Sequence, residues 1–571
     1  MDLQPIFNIA SICHQHGLDK AILSPGSRNA PLTLAFTRHP DIDCRTVSDE
    51  RSAAFIGLGI ARQLDRPTIL CCTSGSAAYN YAPAVAEAFF QQIPLLIFTA
   101  DRPPEWIDQL DGQTIRQVNI YGDHVKKSFQ LPVDLDNPEA KTHTYRIINE
   151  AINHTQEFPK GPVHINVPFR EPFYPGSGEK LHYKEPVKVF TTNQPQPGPV
   201  DWEALQQEWN QYQRKLIVAG QYRKSTELNA DLTGIFKDQK IPVAGDILSN
   251  LHAIDEVIAH ADVFIGNGRK GLNESLQPDL LITYGLSTIS KNLKLLLRKY
   301  PPRAHWHIQP AGEVADTYNA LTKIIRTSPE KFFRQLSAGK TDDSFESQKQ
   351  ENYCNIWLIE ERKVRRHIPS FFSTDHWGEF ELVYHALKAA PSGINLHLAN
   401  SMAVRYANFI GIETQHEETE VLSNRGTSGI DGSNSTAVGA SLESDRLNLL
   451  ITGDMAFFYD RNAFWHNYDI KNLRILLLNN HGGGIFRMIP GPGSLPELED
   501  FFETRQPLSA GLLAKEMGFE YLNCDKKSKL NNYLKQFFKE DGQPRILELE
   551  SDSAVNKQIL EEFRSSFNKT K

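Results

Sequence analysis

Residues 446–480, RLNLLITGDMAFFYDRNAFWHNYDIKNLRILLLNN, decide the fold class. Two short aliphatic runs, RLNLLITGD (446–454) and LRILLLNN (473–480), flank a stretch long enough for one helix. This is a strand–helix–strand unit, the building block of a parallel sheet. Both runs stop on polar residues, Gly453-Asp454 and Asn479-Asn480, and HGGGIF (481–486) follows the second. In open α/β sheets ligands sit outside the carboxyl ends of the strands, so these endings are the places to look for chemistry.

The same alternation extends outward through the chain. Towards the C-terminus lies RILELE (545–550), and before residue 446 lies INLHLAN (394–400). A second set comprises KLIVAG (215–220), DVFIG (262–266), LLITYG (280–285) and AHWHIQ (304–309). A first set comprises AILS (21–24), CRTVS (44–48), TILCCT (68–73), PLLIFTA (94–100) and VHINVP (163–168). The Pro- and Gly-rich stretch 172–200 reads as a linker, and the polar stretch 337–352 as a second boundary. The expectation is an α/β protein of three doubly wound, mostly parallel-sheet domains, over 1–180, 200–340 and 355–571, with no short-period repeat.

Composition narrows the function classes. The 571 residues are 40% apolar and 23% charged, with net charge −8. A main role in nucleic-acid binding is disfavoured, because phosphate binding needs a basic excess. The N-terminal MDLQPIFNIASICHQHG has no basic region followed by an apolar run, and no apolar run approaches the length of a membrane span. Six scattered cysteines form no CxxC pair, which fits a reducing cytoplasm.

Asp454 and the Asn480 side chain offer oxygen ligands to a hard cation such as Mg²⁺, and Gly482 offers a carbonyl where the backbone can approach closely. Backbone N–H groups around Asp454, from Gly453 to Met455 and Ala456, suit phosphates. A lone Gly-Asp after a strand is usually a turn with a helix cap. Gly-Asp, a strand–helix–strand unit and then NNHGG is far more specific. It resembles the thiamine-diphosphate motif, GDG followed by NN, with Met455 in place of the last glycine. That resemblance gives a role to Glu50 in CRTVSDERSAAF (44–55), where a strand gives way to a helix. Thiamine enzymes need one glutamate in this context, bonded to the aminopyrimidine ring of the cofactor.

Further cationic residues fall in Gly-, Ser- and Asn-rich loops at strand ends. SPGSRNAPL holds Ser27 and Arg28, TADRPPE holds Arg102, and GQTIRQ holds Gln113. TISKNLK holds Lys291, NSMAVR holds Ser401 and Arg405, and SNRGTSGIDG holds Arg425 and Ile430. Arginine binds carboxylate in a two-pronged fork, so the set suits substrates with several carboxylates. These motifs, in this order from residue 24 to residue 486, resemble the MenD family of thiamine-diphosphate enzymes.

The resemblance implies pyrimidine-binding, central and diphosphate-binding domains. It implies thiamine diphosphate with Mg²⁺ (or Mn²⁺), and a homodimer or dimer of dimers with active sites between subunits. The implied reaction decarboxylates 2-oxoglutarate and adds the succinyl carbanion to isochorismate. Each substrate carries two carboxylates. Glu50 and Gln113 are then catalytic. Ser401, Arg405 and Arg425 contact the succinyl part or the intermediate. Ser27, Arg28, Arg102, Gln113 and Lys291 serve the isochorismate side or position the intermediate. Ile430, Ile485 and Phe486 pack on the cofactor beside Gly453, Met455 and Ala456. Asn292 stands where the family often has a second basic residue. The competing reading is an acetolactate-synthase-like carboligase with a flavin or ADP in the central domain. GNGRKG (266–271) formally fits a dinucleotide loop, but Pro278 and a new strand follow too soon for the required helix.

Overall fold

The computed structural model describes residues 3–171, 173–176, 181–183, 187–193, 198, 200–266, 269–337 and 345–569. Three sheets follow one another along the chain. The first contains β1 (Lys20–Leu23), β2 (Asp43–Thr46), β3 (Thr68–Cys72), β4 (Leu95–Asp101), β5 (Lys127–Gln130) and β6 (Pro162–Pro168). Their spatial order is β2-β1-β3-β4-β6-β5, and every pairing is parallel. Strands β3, β4 and β6 are buried along their whole length, which is why they read as unbroken apolar runs.

The second sheet contains β7 (Lys215–Ala219), β8 (Val243–Gly245), β9 (Leu280–Tyr284), β10 (Ala304–Ile308) and β11 (Lys323–Ile325), in the parallel order β11-β10-β9-β7-β8. The third contains β12 (Asn395–Leu398), β13 (Glu420–Leu422), β14 (Asn448–Gly453), β15 (Leu473–Asn479), β16 (Glu520–Asn523) and β17 (Arg545–Glu550). Its order is β13-β12-β14-β15-β17-β16. Counted within each sheet, the first and third share the order 2-1-3-4-6-5. In both, the order reverses between the first and third strands, and that crevice is where an open α/β sheet binds ligands.

By contacts the chain divides into two compact units. One comprises Met1–Pro195, Asn424–Asn448 and Ala456–Leu473; the other comprises Gln196–Ser423, Leu449–Met455 and Arg474–Lys571. In the first unit the helices Gln4–Gln15, Ala30–Thr37 and Pro138–Gln156 share a core with Leu23, Cys71, Phe98 and Ile165 of the sheet. The helix Glu50–Leu64 starts on the Asp49 carboxylate, which accepts the Ser52 N–H at 3.2 Å, and ends on Asp65 in the left-handed conformation. It packs along the helix Ser433–Ser441 at very short range. A Cβ on Gly439 would lie 2.1 Å from the Ile56 carbonyl, and one on Gly59 would lie 2.2 Å from the Thr436 carbonyl. Only glycine allows this crossing.

Two expectations are corrected. DVFIG is not a strand: Ala261–Ile265 is a short helix. The Asp262 carboxylate accepts the Asn292 N–H at 2.9 Å and the Ser290 hydroxyl at 2.8 Å, which ties this turn to the start of the helix Lys291–Lys299. The polar stretch 337–352 is not irregular throughout, because a 28-residue helix, Phe345–Phe372, already runs through its second half. The stretch expected as a linker over 172–200 is partly anchored. The Tyr183 hydroxyl donates to the Ala35 carbonyl at 2.7 Å, and the Phe190 N–H to Asn149 Oδ1 at 3.0 Å. Its residues 172, 177–180, 184–186, 194–197 and 199 lie outside the described residues, as do Asn267 and Gly268 of GNGRKG.

Candidate active site

In the first unit the expected residues gather at the carboxyl ends of β1, β3 and β4. Arg28 follows β1 and is only 5% exposed. Its Nη1 donates to the Phe169 carbonyl at 2.9 Å, and its guanidinium lies over the rings of Phe173 (4.4 Å) and Trp106 (5.5 Å). Burial, together with the neighbouring Arg102 cation, lowers its pKa. Arg102 follows β4; it donates to the Ser74 hydroxyl and, at 2.6 Å, to the Gly112 carbonyl. Two cations held this close favour an anion between or beside them. Gln113 comes next to Gly112, exposed, with φ +56°. Ser27 is exposed in the loop before Arg28.

Sequence reading missed the residues that build this patch. Gln117 is buried; its Oε1 accepts the Gly75 N–H at 2.7 Å, and its Nε2 donates to the Ala100 carbonyl and to Asn166 Oδ1. It thus knits the ends of β3, β4 and β6 together. The motif GQTIRQ contains it, but nothing in the local sequence distinguishes it from Gln113.

Glu50 is the first residue of its helix and is half-buried. Its Oε2 accepts from Asn80 Nδ2 at 3.4 Å. Arg425 and Ile430, both half-buried, lie in the loop that joins β13 to the helix Ser433–Ser441. Asn424 closes this loop by donating to Thr436 Oγ1 at 2.9 Å.

In the second unit Asp454 follows β14 and is 1% exposed. Burial raises its pKa to about 6, against the donors Gln506 Nε2 (2.9 Å) and the Met455 and Gly482 N–H groups. Asn480 follows β15. Its Nδ2 donates to Glu379 Oε1 at 2.7 Å, while its Oδ1 is buried with no hydrogen-bond partner among the described residues. Glu379 is itself 1% exposed, and burial lifts its pKa to about 7. The Gly482 carbonyl accepts from the Gly484 N–H at 3.0 Å. A buried carboxylate, an amide oxygen and a main-chain carbonyl are all oxygen donors, the kind of atom that a hard divalent cation takes. Ile485 and Phe486 open the short helix after the glycines, and Phe486 packs on Phe502 with ring centroids 5.8 Å apart.

Ser401 and Arg405 follow β12. Ser401 has φ +73°, a costly conformation for a residue with a side chain, and such strain clusters at functional sites. Arg405 folds back to donate to the Ser401 carbonyl. Lys291 is exposed at the start of its helix, and among the described residues no hydrogen bond or ion pair joins it to another candidate. Ser290 caps that helix by accepting the Leu293 N–H at 3.2 Å, and Asn292 Nδ2 donates to the Asp262 carbonyl at 2.8 Å, so Asn292 has a structural use of its own.

Two sheets of one topology, with carboxylates and oxygen ligands at their carboxyl ends, define a thiamine-diphosphate enzyme. Three family matches agree: a thiamine pyrophosphate enzyme N-terminal TPP binding domain over residues 7–121, a middle domain of thiamine pyrophosphate over 183–398, and a C-terminal TPP binding domain over 403–549. Full-length relatives are closer still. The chain is 44% identical to a protein of Cytophaga hutchinsonii, covering 99% of each chain. It is 39% identical to one of Flavobacterium johnsoniae (97% of each) and 36% identical to one of Bacteroides fragilis (98% of each). All three are named 2-succinyl-5-enolpyruvyl-6-hydroxy-3-cyclohexene-1-carboxylate synthase. The chain belongs to this family of thiamine-diphosphate-dependent transferases of menaquinone biosynthesis. Among the described residues no helix is long and apolar enough to cross a membrane.

Proposed function

We propose that this chain decarboxylates 2-oxoglutarate and joins the remaining succinyl unit to isochorismate. The observation that carries the site is the buried, unpartnered Asn480 Oδ1 alongside the buried Asp454 carboxylate. With the Gly482 carbonyl they would hold Mg²⁺, or Mn²⁺, and Gly453, Met455 and Ala456 would present N–H groups to the diphosphate. Thiamine diphosphate, when bound, supplies a carbanion-stabilising centre for the decarboxylation and the carbon–carbon bond.

The chain's own residues do the rest. Glu50 bonds the aminopyrimidine nitrogen and holds a proton there. Ile430, Ile485 and Phe486 pack on the cofactor and exclude water. Arg405, Arg425 and Ser401 bind the succinyl carboxylate. Arg28 and Arg102, with Ser27, Gln113 and Lys291, orient isochorismate through its two carboxylates; bidentate arginine contacts fix direction as well as charge. Gln113 also contacts the reacting atoms. The domains run over 1–180, 200–340 and 355–571. The working form is a cytoplasmic homodimer or dimer of dimers, with Glu50 and Asp454 of one site supplied by different subunits.

The test is direct. Purified protein with Mg²⁺, thiamine diphosphate and 2-oxoglutarate should consume the keto acid in an isochorismate-dependent manner. Consumption that ignores isochorismate would favour a different carboligase. Glu50→Gln should retain the cofactor yet slow exchange of its C2 proton at least a hundredfold, the scale of a lost acid–base group. Unchanged exchange would remove Glu50 from the chemistry.

A further inference from the structure

Glu87 lies in the helix Ala82–Gln91, away from every motif that points to the site. It is 1% exposed. Its carboxylate faces the loop carrying Arg425 and Ile430. Oε1 accepts the Gly426 N–H at 2.7 Å, and Oε2 accepts the Thr427 N–H at 2.7 Å and the Thr427 hydroxyl at 2.6 Å. Gln91 Nε2 also donates to Oε1, and Arg62 donates to Gln91 Oε1 at 3.1 Å. Four donors therefore converge on one carboxylate, with a cation one bond behind.

The fit leaves no slack. A Cβ on Gly426 would fall 2.7 Å from the Glu87 carbonyl and 3.1 Å from Oε1. Burying a carboxylate is expensive, and well-packed apolar side chains often serve stability equally well. A packing role alone does not call for a charge here. Two consecutive N–H groups on one carboxylate fix the plane of the Arg425–Gly426 peptide, and with it the direction in which the Arg425 side chain leaves the main chain. Asn424 pins the loop on the other side of Arg425.

We propose that Glu87 is a positioning residue that aims Arg425 at the 2-oxoglutarate-derived carboxylate. This rests on the reading of Arg425 as a carboxylate-binding residue. Two variants approach the contact from opposite ends: Glu87→Gln, which puts an amide against two N–H groups, and Thr427→Val, which removes one donor from an exposed side chain.

In Glu87→Gln the KM for 2-oxoglutarate should rise about tenfold, or about 1.4 kcal/mol, with a smaller rise in Thr427→Val. The KM for isochorismate and the affinity for thiamine diphosphate should stay within about twofold, and the Gly426 and Thr427 amides should exchange hydrogen about tenfold faster, as a lost local bond predicts. A generally loosened protein would instead shift both KM values and the melting temperature together, and that result overturns the proposal. Arg425→Ala is the control. If it raises the 2-oxoglutarate KM while Glu87→Gln and Thr427→Val do not, the positioning role is wrong and the site reading stands. If Arg425→Ala leaves that KM unchanged, the site reading fails and takes the proposal with it. Should Glu87→Gln not fold, Thr427→Val decides alone.

Discussion

Asn480 is an amide with its two ends in different worlds. The nitrogen is committed to the buried Glu379 carboxyl at 2.7 Å, which fixes the flip of the side chain and leaves Oδ1 buried without a partner among the described residues. An unpaired buried polar atom costs roughly 1–3 kcal/mol, a cost a bound cation would remove. Asn480→Ala should therefore raise the Mg²⁺ concentration needed for half-maximal thiamine diphosphate binding by about tenfold or more, and Asp454→Ala should abolish the Mg²⁺ dependence. Titrating Mg²⁺ against cofactor binding, by calorimetry or fluorescence, checks this without any turnover; an unchanged Mg²⁺ requirement would remove Asn480 from the ligand set. The two oxygen-bearing side chains were legible in the sequence because each ends a strand. Their supports were not. Gln506 reaches Asp454 across 52 residues and Glu379 reaches Asn480 across 101, and no local pattern marks either.

The elements divide in a similar way. Every interior strand, β1, β3, β4, β6, β7, β9, β10, β12, β14, β15 and β17, coincides with an aliphatic run visible in the sequence. The five strands that were not visible, β5, β8, β11, β13 and β16, all lie at sheet edges. An edge strand is covered on fewer sides and can carry polar residues: Lys127–Gln130 and Glu520–Asn523 are partly exposed along most of their length. Three of them are only three residues long. The helix crossing between Glu50–Leu64 and Ser433–Ser441 was equally hidden, since Gly59 and Gly439 have meaning only when they face each other. There a methyl group cannot be absorbed, because the obstacle is main chain. Gly439→Ala should cost about 1–3 kcal/mol of stability, the usual range for overpacking. It should lower activity through both Glu50 and the loop carrying Arg425, because that crossing sets the two elements in place. Denaturant unfolding of Gly439→Ala against Gly453→Ala, where a Cβ meets nothing closer than 4.0 Å, separates crowding from the mere loss of a glycine.

At the scale of the molecule, the first and third sheets share one strand order although no repeat is apparent in the sequence. Burial constrains polarity and size at each position, and topology survives when only those are kept. The correspondence reaches the helices. Glu50–Leu64 follows the second strand of the first sheet, Ser433–Ser441 follows the second strand of the third, and the two pack on each other. One sheet thus leads to Glu50 and the other to Asp454, and the proposed active site needs both. If each site draws them from different subunits, neither Glu50→Gln nor Asp454→Ala should be active alone, while a mixed dimer holds one site with both residues intact. Coexpression should restore about a quarter of wild-type activity, since about half of randomly assorted dimers are mixed and each has one working site of two. Separate purification followed by brief mixing, before subunits exchange, should restore none. If the two residues instead serve a site within a single chain, every site in every dimer carries one lesion, and coexpression stays as inactive as either variant.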